Sequence, residues 1–139
     1  MVAPLTRLAR EVLAPPVLRW VGLLGLCAAY LQGGLTKLAD FGGAAVEMEQ
    51  LGLAPGAVFA TGVIVTELAG ALLVLSGRGR WLGALWLGGF TLAASFAANR
   101  YWELAAGYQR TMSANAFYEH LGLAGAFLLV AWWDLREAR

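Results

Sequence analysis

The chain has 139 residues, of which 60% are hydrophobic and only 14% are charged, and its mean hydropathy is +0.65. Ordinary soluble domains carry about 25% charged residues, so this composition excludes a water-soluble enzyme and a disordered segment. The net charge of +1 provides no field that would select nucleic acid, and the single cysteine, Cys27, excludes an internal disulfide and a multi-cysteine metal site.

The first 16 residues differ from the rest of the chain because charged residues interrupt their apolar pattern. Leu5, Leu8 and Val12 recur at helical spacing, with arginines between them. This pattern is typical of an amphipathic helix that lies in the membrane interface. Residues 1–16 are therefore predicted to form an N-terminal interfacial segment, and two prolines separate it from the first long apolar stretch.

Four apolar stretches come after this segment, each long enough to cross a bilayer, which requires about 20 residues. They lack the alternation of strands and are rich in Leu and Ala, so the chain is predicted to be an all-α, integral membrane four-helix bundle. Residues 17–139 are expected to form a single transmembrane domain. The four predicted spans cover residues 18–38, 57–75, 81–98 and 116–133, with approximate boundaries.

The positions of Lys and Arg predict the orientation of the four spans. Both termini and the loop between spans two and three share one side, which carries seven of these residues: Arg7, Arg10, Arg19, Arg78, Arg80, Arg136 and Arg139. The opposite side carries three: Lys37, Arg100 and Arg110. Because positive charge accumulates in cytoplasmic loops, both termini are predicted to be cytoplasmic, in a multi-pass protein of the cell's inner (plasma) membrane.

The loop between spans one and two is long enough to contain a short helix. Asp40 is a suitable N-cap for that helix, and Gly52 followed by Pro55 would end it. This loop faces outward in the predicted orientation, so it is a candidate for a lid or a partner surface.

Small residues recur every four positions in the first two spans. In lipid, close approach through small residues replaces much of the hydrophobic drive between helices. The two stripes are therefore expected to pack span one against span two. They consist of Gly25, Ala29 and Gly33 in span one and of Gly62, Thr66 and Gly70 in span two.

Glu67 is the most conspicuous residue within the spans. It lies eleven residues into span two, or about 16 Å at the helical rise of 1.5 Å per residue, which is near the bilayer midplane. An ionisable group at that depth costs roughly 2.5–3.5 kcal/mol even on lenient insertion scales, so it usually faces the bundle interior and a partner. Glu67 is therefore a candidate functional residue; the alternative is a protonated acid that only packs.

Polar residues of the other spans lie towards the same half of the bundle and are expected to converge on Glu67 in an outward-facing pocket. Glu67 and His120 are the predicted catalytic residues. His120 would relay a proton or donate an interhelical hydrogen bond. The predicted ligand-binding residues are Gln32, Lys37, Asn99 and Glu119. Further polar residues of this half are Thr91, Ser95 and Asn115. Several of these positions lie near span ends, where a polar residue costs little free energy. A purely structural role is therefore an alternative explanation for them.

A metal site is not expected. One histidine and scattered carboxylates do not make a ligand set for zinc or haem. The sequence also has no Ser-His-Asp constellation, phosphate-binding loop or dinucleotide fingerprint.

Three motifs, in chain order, resemble the DoxX family of small four-span membrane proteins. Residues 33–38, GGLTKL, are similar to the family's GxxK element at the end of span one. Residues 67–73, ELAGALL, are similar to its intramembrane Glu-x-x-Gly element. Residues 117–125, FYEHLGLAG, are similar to the start of its last span. The resemblance extends over nearly all of residues 18–133.

The resemblance implies a four-helix membrane bundle with Lys37, Glu67 and His120 at its functional positions. Related proteins include a membrane subunit of thiosulfate:quinone oxidoreductase and members linked to membrane complexes that handle oxidative stress. The chain is accordingly expected to be a membrane subunit of such an oxidoreductase system. In that role it would take a quinone headgroup between its helices and would carry no covalently bound cofactor.

Two other functions stay open. The chain could be a non-catalytic scaffold, assembly factor or chaperone-like partner, since distant relatives look like cargo receptors or receptor-assembly chaperones. It could also be a small solute carrier, although four short spans enclose little volume unless the chain oligomerises. The expected partners are the lipid bilayer, a lipid or quinone ligand, and a protein partner or a second copy of the chain; no nucleic acid is expected.

Overall fold

The computed structural model describes residues 2–138, and within that range it is helical, with no strand. One turn of 3-10 helix, Tyr101–Glu103, precedes the last helix. The α-helices in chain order are α1 (Val2–Leu13), α2 (Pro16–Ala39), α3 (Phe41–Gln50), α4 (Gly56–Ser76), α5 (Arg80–Ala98) and α6 (Tyr108–Glu137).

Four of these helices, α2, α4, α5 and α6, are long and apolar enough to cross a membrane. In the most apolar 18-residue stretch of each helix, only 17–33% of the residues are buried inside the protein. The other residues of these stretches are mostly apolar and exposed, as Leu72, Trp86 and Leu129 illustrate. Such surfaces suit contact with lipid rather than water. The predicted all-α, four-span architecture is therefore confirmed.

The spanning helices alternate in direction, and α4 lies at the centre of the fold. It packs against α2, α3 and α5, while α5 packs most extensively against α6. The start of α2 and the end of α6 meet at one end of the bundle, where Arg19 Nη1 lies 2.6 Å from Glu137 Oε2. We call this the terminal end, and the opposite end, which carries α3 and the 3-10 turn, the loop end. The cytoplasmic placement of the terminal end stays a prediction.

The core between the spanning helices is made of mostly small and medium-sized apolar side chains. Cys27, Val74, Leu87 and Phe127 are fully buried there. The ring of Tyr30 packs edge-on against Phe127 at a centroid distance of 5.4 Å and so links α2 to α6 at mid-height. Cys27 is thus a packing residue within this core.

The last helix begins at Tyr108, earlier than the predicted span at about residue 116. Residues 108–115 are too polar to be counted in a membrane span, but they contain no proline or glycine that would interrupt a helix. Gly107, with φ 149°, precedes the helix and allows the chain to turn into it. A run of apolar residues therefore predicts which part of a helix suits the membrane. It does not predict the residue at which the helix begins.

The short helix expected between the first two spans is present as α3. The Asp40 side chain accepts a hydrogen bond from the backbone N–H of Gly43 at 3.0 Å, which is the predicted N-cap. Gly52, with φ 79°, redirects the chain after the helix ends. Backbone contact between α3 and α4 is close, because a Cβ placed on Gly56 would lie 2.1 Å from the carbonyl oxygen of Ala45.

The predicted small-residue stripes are only partly correct. A Cβ placed on Gly25 or Gly62 would meet no atom within 4 Å, so neither glycine lies at a helix contact. The close contact between α2 and α4 is made instead by Gly34, whose added Cβ would lie 2.7 Å from the Leu68 side chain. Gly70 faces Leu87 of α5 and not α2. On α2, the contact with α4 is therefore made by Gly33, which faces Glu67, and by Gly34, and not by the whole predicted stripe.

The N-terminal helix α1 is exposed along the described part of its length, including Leu5, Leu8 and Val12. An exposed ion pair joins Arg7 to Glu11 at 3.6 Å on its polar face. Within residues 2–138, the helix makes no extensive contact with the bundle. Its interfacial location, and the division of the chain at residue 16, stay predictions; Met1 lies outside the described residues.

Candidate functional site

The charged pair of the loop-end half consists of Lys37 on α2 and Glu67 on α4. Lys37 Nζ lies 3.3 Å from both Oε1 and Oε2 of Glu67. The two side chains are 19% and 10% exposed, respectively, in the isolated chain. Each charge is therefore removed from water and compensated by the other, as intramembrane charges require.

Glycines on α2 make room for this pair. A Cβ placed on Gly33 would lie 3.3 Å from both carboxylate oxygens of Glu67 and from Lys37 Nζ. The adjacent Gly34 is buried against Leu68 and brings the two helix backbones together. Any side chain at residue 33 would crowd the ion pair, so the first glycine of the GGLTKL segment has a clear steric role.

The Lys37–Glu67 pair lines a cavity of about 570 Å³, which we call the loop-end cavity. Its polar lining consists of Tyr30, Gln32, Lys37, Glu47, Glu67, Thr91 and His120. Its apolar lining includes Met48 of α3, Leu51 just after that helix, Phe59 and Val63 of α4, Phe90 of α5 and Leu123 of α6. Four alanines of α5 leave space along one wall: Ala93, Ala94, Ala97 and Ala98. An apolar cavity of this size with a few convergent polar groups is typical of a small-molecule site.

Tyr30 and Thr91 form the polar contact at the base of the cavity. The Thr91 hydroxyl donates a hydrogen bond to the carbonyl oxygen of Leu87 at 2.6 Å. Its proton is then used, so the Tyr30 hydroxyl is the donor in the Tyr30–Thr91 hydrogen bond. This chain of hydrogen bonds fixes Tyr30 and leaves its hydroxyl oxygen able to accept one from a ligand.

His120 contributes to the cavity from α6. Its Nδ1 lies 2.5 Å from the carbonyl oxygen of Ala116. A carbonyl oxygen only accepts hydrogen bonds, so Nδ1 carries the proton, and Nε2 is the acceptor when the ring is neutral. His120 is thus set up to accept a hydrogen bond or a proton at Nε2.

The structure brings together some of the predicted site residues and not others. Gln32, Lys37, Glu67 and His120 all line the loop-end cavity, and the Gln32 amide donates to the Thr36 hydroxyl at 3.1 Å. The remaining predicted residues are not in its lining: Asn99 follows the last residue of α5, while Asn115 and Glu119 are exposed on α6. Glu119 and His120 diverge because adjacent residues on a helix differ by about 100° in direction.

Ser95 lies one turn beyond Thr91 on α5. Its side chain is fully buried, and its hydroxyl oxygen has no hydrogen-bond partner among the described residues. It is not part of the cavity lining. Of the two polar residues of this helix that were expected to converge on Glu67, Thr91 lines the cavity and Ser95 lies in the helix packing.

Sequence reasoning missed two polar residues of the cavity, Tyr30 and Glu47. Tyr30 precedes Gly33 by three residues and Lys37 by seven, so helical spacing could have placed it on the same face. Glu47 offered no such signal, because its position depends on how α3 folds back over α4. It is exposed to solvent and also lines the cavity, so it connects the site to the water at the loop end.

The arrangement supports acid–base chemistry on a mostly apolar ligand. Lys37 offers N–H donors, Glu67 offers a carboxylate, and His120 offers an acceptor nitrogen. Among the described residues, only Glu67 and Glu47 contribute carboxylates to the lining, and Lys37 is its one Lys or Arg side chain. Within residues 2–138, no group of three or more His, Cys, Asp or Glu side chains is placed to hold a metal ion.

Comparison with known proteins identifies the family. The DoxX family model matches residues 18–100, which comprise most of α2, the whole of α3 to α5 and the residues between them. No match was found among curated proteins or among solved structures. The match covers more than half of the chain and includes Lys37 and Glu67, whereas α6 with His120 lies beyond it. The chain therefore belongs to the DoxX family of small membrane proteins.

Proposed function

We propose that the chain is a quinone-binding membrane subunit of an oxidoreductase system and that the loop-end cavity takes the quinone headgroup. The observation that carries this proposal is the Lys37–Glu67 pair, buried at the wall of a cavity of about 570 Å³ with a mainly apolar lining. A quinone headgroup is planar and apolar with two carbonyl oxygens. It therefore needs hydrogen-bond donors and a proton source within an otherwise apolar site.

A bound quinone takes up two electrons and two protons to become a quinol. The chain's single cysteine is buried in the helix packing, so the electrons are assigned to a partner redox protein. The residues of this chain would then bind the headgroup and supply protons. Lys37 would donate a hydrogen bond to one carbonyl oxygen, and the Glu67 carboxylate would take up each of the two protons in turn and pass it to the quinone.

His120 is suited to the opposite hydrogen-bonding role. Since its Nδ1 proton is directed to Ala116, a neutral ring has only an acceptor available at Nε2. It would therefore accept a hydrogen bond from a quinol hydroxyl rather than donate one to a quinone oxygen. Glu47 provides a carboxylate between the cavity and the solvent at the loop end, from which protons would reach Glu67.

Photolabelling provides a direct test in the intact chain. The protein is reconstituted in nanodiscs and irradiated with an azido-quinone that carries a short alkyl tail, and the labelled peptides are identified by mass spectrometry. Labelling is expected within the cavity wall formed by α5 and α6, and an unmodified short-chain quinone should compete for it.

A matched pair of variants tests the site without disturbing the ion pair. Ala97→Leu fills the cavity, because Ala97 lines it, whereas Ala69→Leu adds the same bulk to an exposed position on α4. Labelling should fall in Ala97→Leu and persist in Ala69→Leu. Equal labelling of both variants, or labelling that unmodified quinone does not reduce, would overturn the proposal.

A non-catalytic scaffold is the second candidate, and one observation favours it. Lys37 and Glu67 satisfy each other directly, as expected of a pair that only specifies how α2 packs against α4. In that case Glu67→Gln would alter stability or recovery of a partner protein. It would have no effect on quinone chemistry, and quinone photolabelling would be absent from the wild-type chain.

A further inference from the structure

A second cavity lies at the terminal end, between α2 and α6, and nothing in the proposed function uses it. Its volume is about 370 Å³, and it opens to the surface as a groove. We call it the terminal groove. Its floor and sides are apolar, formed by Gly22, Leu23 and Leu26 of α2 and Leu129 and Val130 of α6.

The groove exists because α2 and α6 meet at only a few points. They touch at mid-height, where Tyr30 packs against Phe127, and at the end, where Arg19 pairs with Glu137. Gly22 lies between these contacts and has no side chain to fill the gap. The lining of the groove on α2 runs from Arg19 to Leu26, a helical rise of about 10 Å, so the groove reaches part of the way into one leaflet of a hydrocarbon core of about 30 Å.

Charged and amphipathic side chains line the outer end of the groove. They are Arg19, Arg80, Trp133 and Glu137. Both oxygens of the Glu137 carboxylate are engaged, one by Arg19 at 2.6 Å and the other by the Trp133 indole at 2.8 Å. Arg19 has five N–H donors and gives one to Glu137, its one hydrogen-bond partner among the described residues. Its remaining donors are available to a second anion.

The terminal end as a whole carries an excess of positive charge. Arg19, Arg78, Arg80 and Arg136 belong to it, against the two carboxylates Asp134 and Glu137, and Arg136 also stacks over Trp132 at 4.6 Å. An apolar groove that reaches into one leaflet and ends in arginine and tryptophan has the chemistry of a phospholipid site.

We propose that the terminal groove binds an anionic phospholipid, with its phosphate held by Arg19 and one acyl chain lying over Gly22 and Leu26. Charge complementarity selects an anionic headgroup, and the apolar lining selects a lipid over free phosphate. The site is separate from the loop-end cavity, because Tyr30 and Phe127 fill the space between them. It does not depend on the proposed quinone function.

Lipid retention measured by native mass spectrometry tests the proposal. The full chain is reconstituted in nanodiscs with equal amounts of phosphatidylglycerol and phosphatidylcholine, released into detergent, and its bound lipids are counted. Phosphatidylglycerol should be retained about fivefold over phosphatidylcholine, as expected for one effective arginine contact. Inorganic phosphate added to the detergent should not displace it.

Two substitutions with matched controls separate the headgroup from the acyl chain. Arg19→Gln should abolish the preference for phosphatidylglycerol, whereas Arg100→Gln, which removes one partner of an exposed ion pair at the loop end, should keep it. Gly22→Leu fills the groove without touching a charge and should reduce retention of both lipids. Gly25→Leu should not, because Gly25 is equally open but lies outside the groove.

The proposal is overturned by any of four results. They are equal retention of the two lipids by the wild-type chain, equal loss in Arg19→Gln and Arg100→Gln, full retention in Gly22→Leu, and displacement by inorganic phosphate. A dimer in the same spectra that Gly22→Leu disrupts would also overturn it, because a second copy of the chain would then occupy the groove.

Discussion

The two ends of the bundle use the same kind of ion pair in different surroundings. At the loop end, Lys37 and Glu67 are 19% and 10% exposed and face a cavity between helices. At the terminal end, Arg19 and Glu137 are 43% and 49% exposed, even though their distance of 2.6 Å is shorter. Burial, and not distance, is therefore expected to decide how much stability is lost when one partner of each pair is removed.

The largest effect is expected from Lys37→Met. Removing the lysine leaves the Glu67 charge buried without compensation, which typically destabilises by about 3–5 kcal/mol. The midpoint of denaturation in detergent, followed by circular dichroism, measures the loss. The double variant Lys37→Met with Glu67→Leu should recover most of it, because apolar residues of similar volume can replace a buried pair. A single variant as stable as the wild type would contradict the buried pair.

The next largest effect concerns the helix contact beside the pair. Gly34→Ala should destabilise by about 1–3 kcal/mol, because its Cβ would lie 2.7 Å from Leu68 and the α2–α4 contact would have to open. Gly25→Ala is the matched control on the same helix, since its Cβ meets nothing within 4 Å. The same denaturation experiment compares them, and an equal effect of the two substitutions would refute the observed contact face of α2.

At the terminal end, a smaller effect is expected from Asp134→Ala. Asp134 Oδ2 accepts a hydrogen bond from the backbone N–H of Trp81 at 3.1 Å, so a residue of α6 caps the first turn of α5. Loss of such a cap costs about 0.5–2 kcal/mol. Asp134→Asn should lose less, because its amide oxygen can still accept this hydrogen bond. If alanine and asparagine were equally destabilising, pairing with Arg80 at 3.7 Å would be the dominant contribution instead.

The smallest effect is expected from Arg19→Gln, which breaks the ion pair between Arg19 and Glu137 at the terminal end. Exposed pairs contribute little, and salt screens them, so its denaturation midpoint should stay close to that of the wild type. Raising the salt concentration should weaken the Arg19–Glu137 contribution and leave the Lys37–Glu67 contribution unchanged. A large midpoint shift in Arg19→Gln would show that the surrounding lipid or detergent buries this pair.

Sequence alone could predict the four spans and the depth of Glu67, because both follow from runs of apolar residues along the chain. It could also place Lys37 in the same half of the bundle, since the two spans run antiparallel. The Asp40 cap was predictable for a similar reason, as its partner is the nearby Gly43. Each of these features is set by residues close together in sequence or by the direction of a whole helix.

The rotation of each helix could not be predicted in the same way. A span surrounded by lipid is apolar on nearly all sides, so its hydrophobic pattern does not distinguish the packed face from the exposed one. This is why His120 faces the cavity and Glu119 does not, although both looked equally suitable. It is also why the packing glycine of α2 is Gly34 and not Gly25.

The buried pair has a consequence for how the chain is made. Helices that insert one after another enter the bilayer before they find their neighbours. Lys37 is near the end of its helix, so its side chain can reach the headgroups before the helices associate. Glu67 lies too deep in its helix to do so. The acidic helix therefore gains most from immediate association with the helix inserted before it. Pairing of Lys37 with Glu67 would therefore bring α2 and α4 together at an early step of biogenesis.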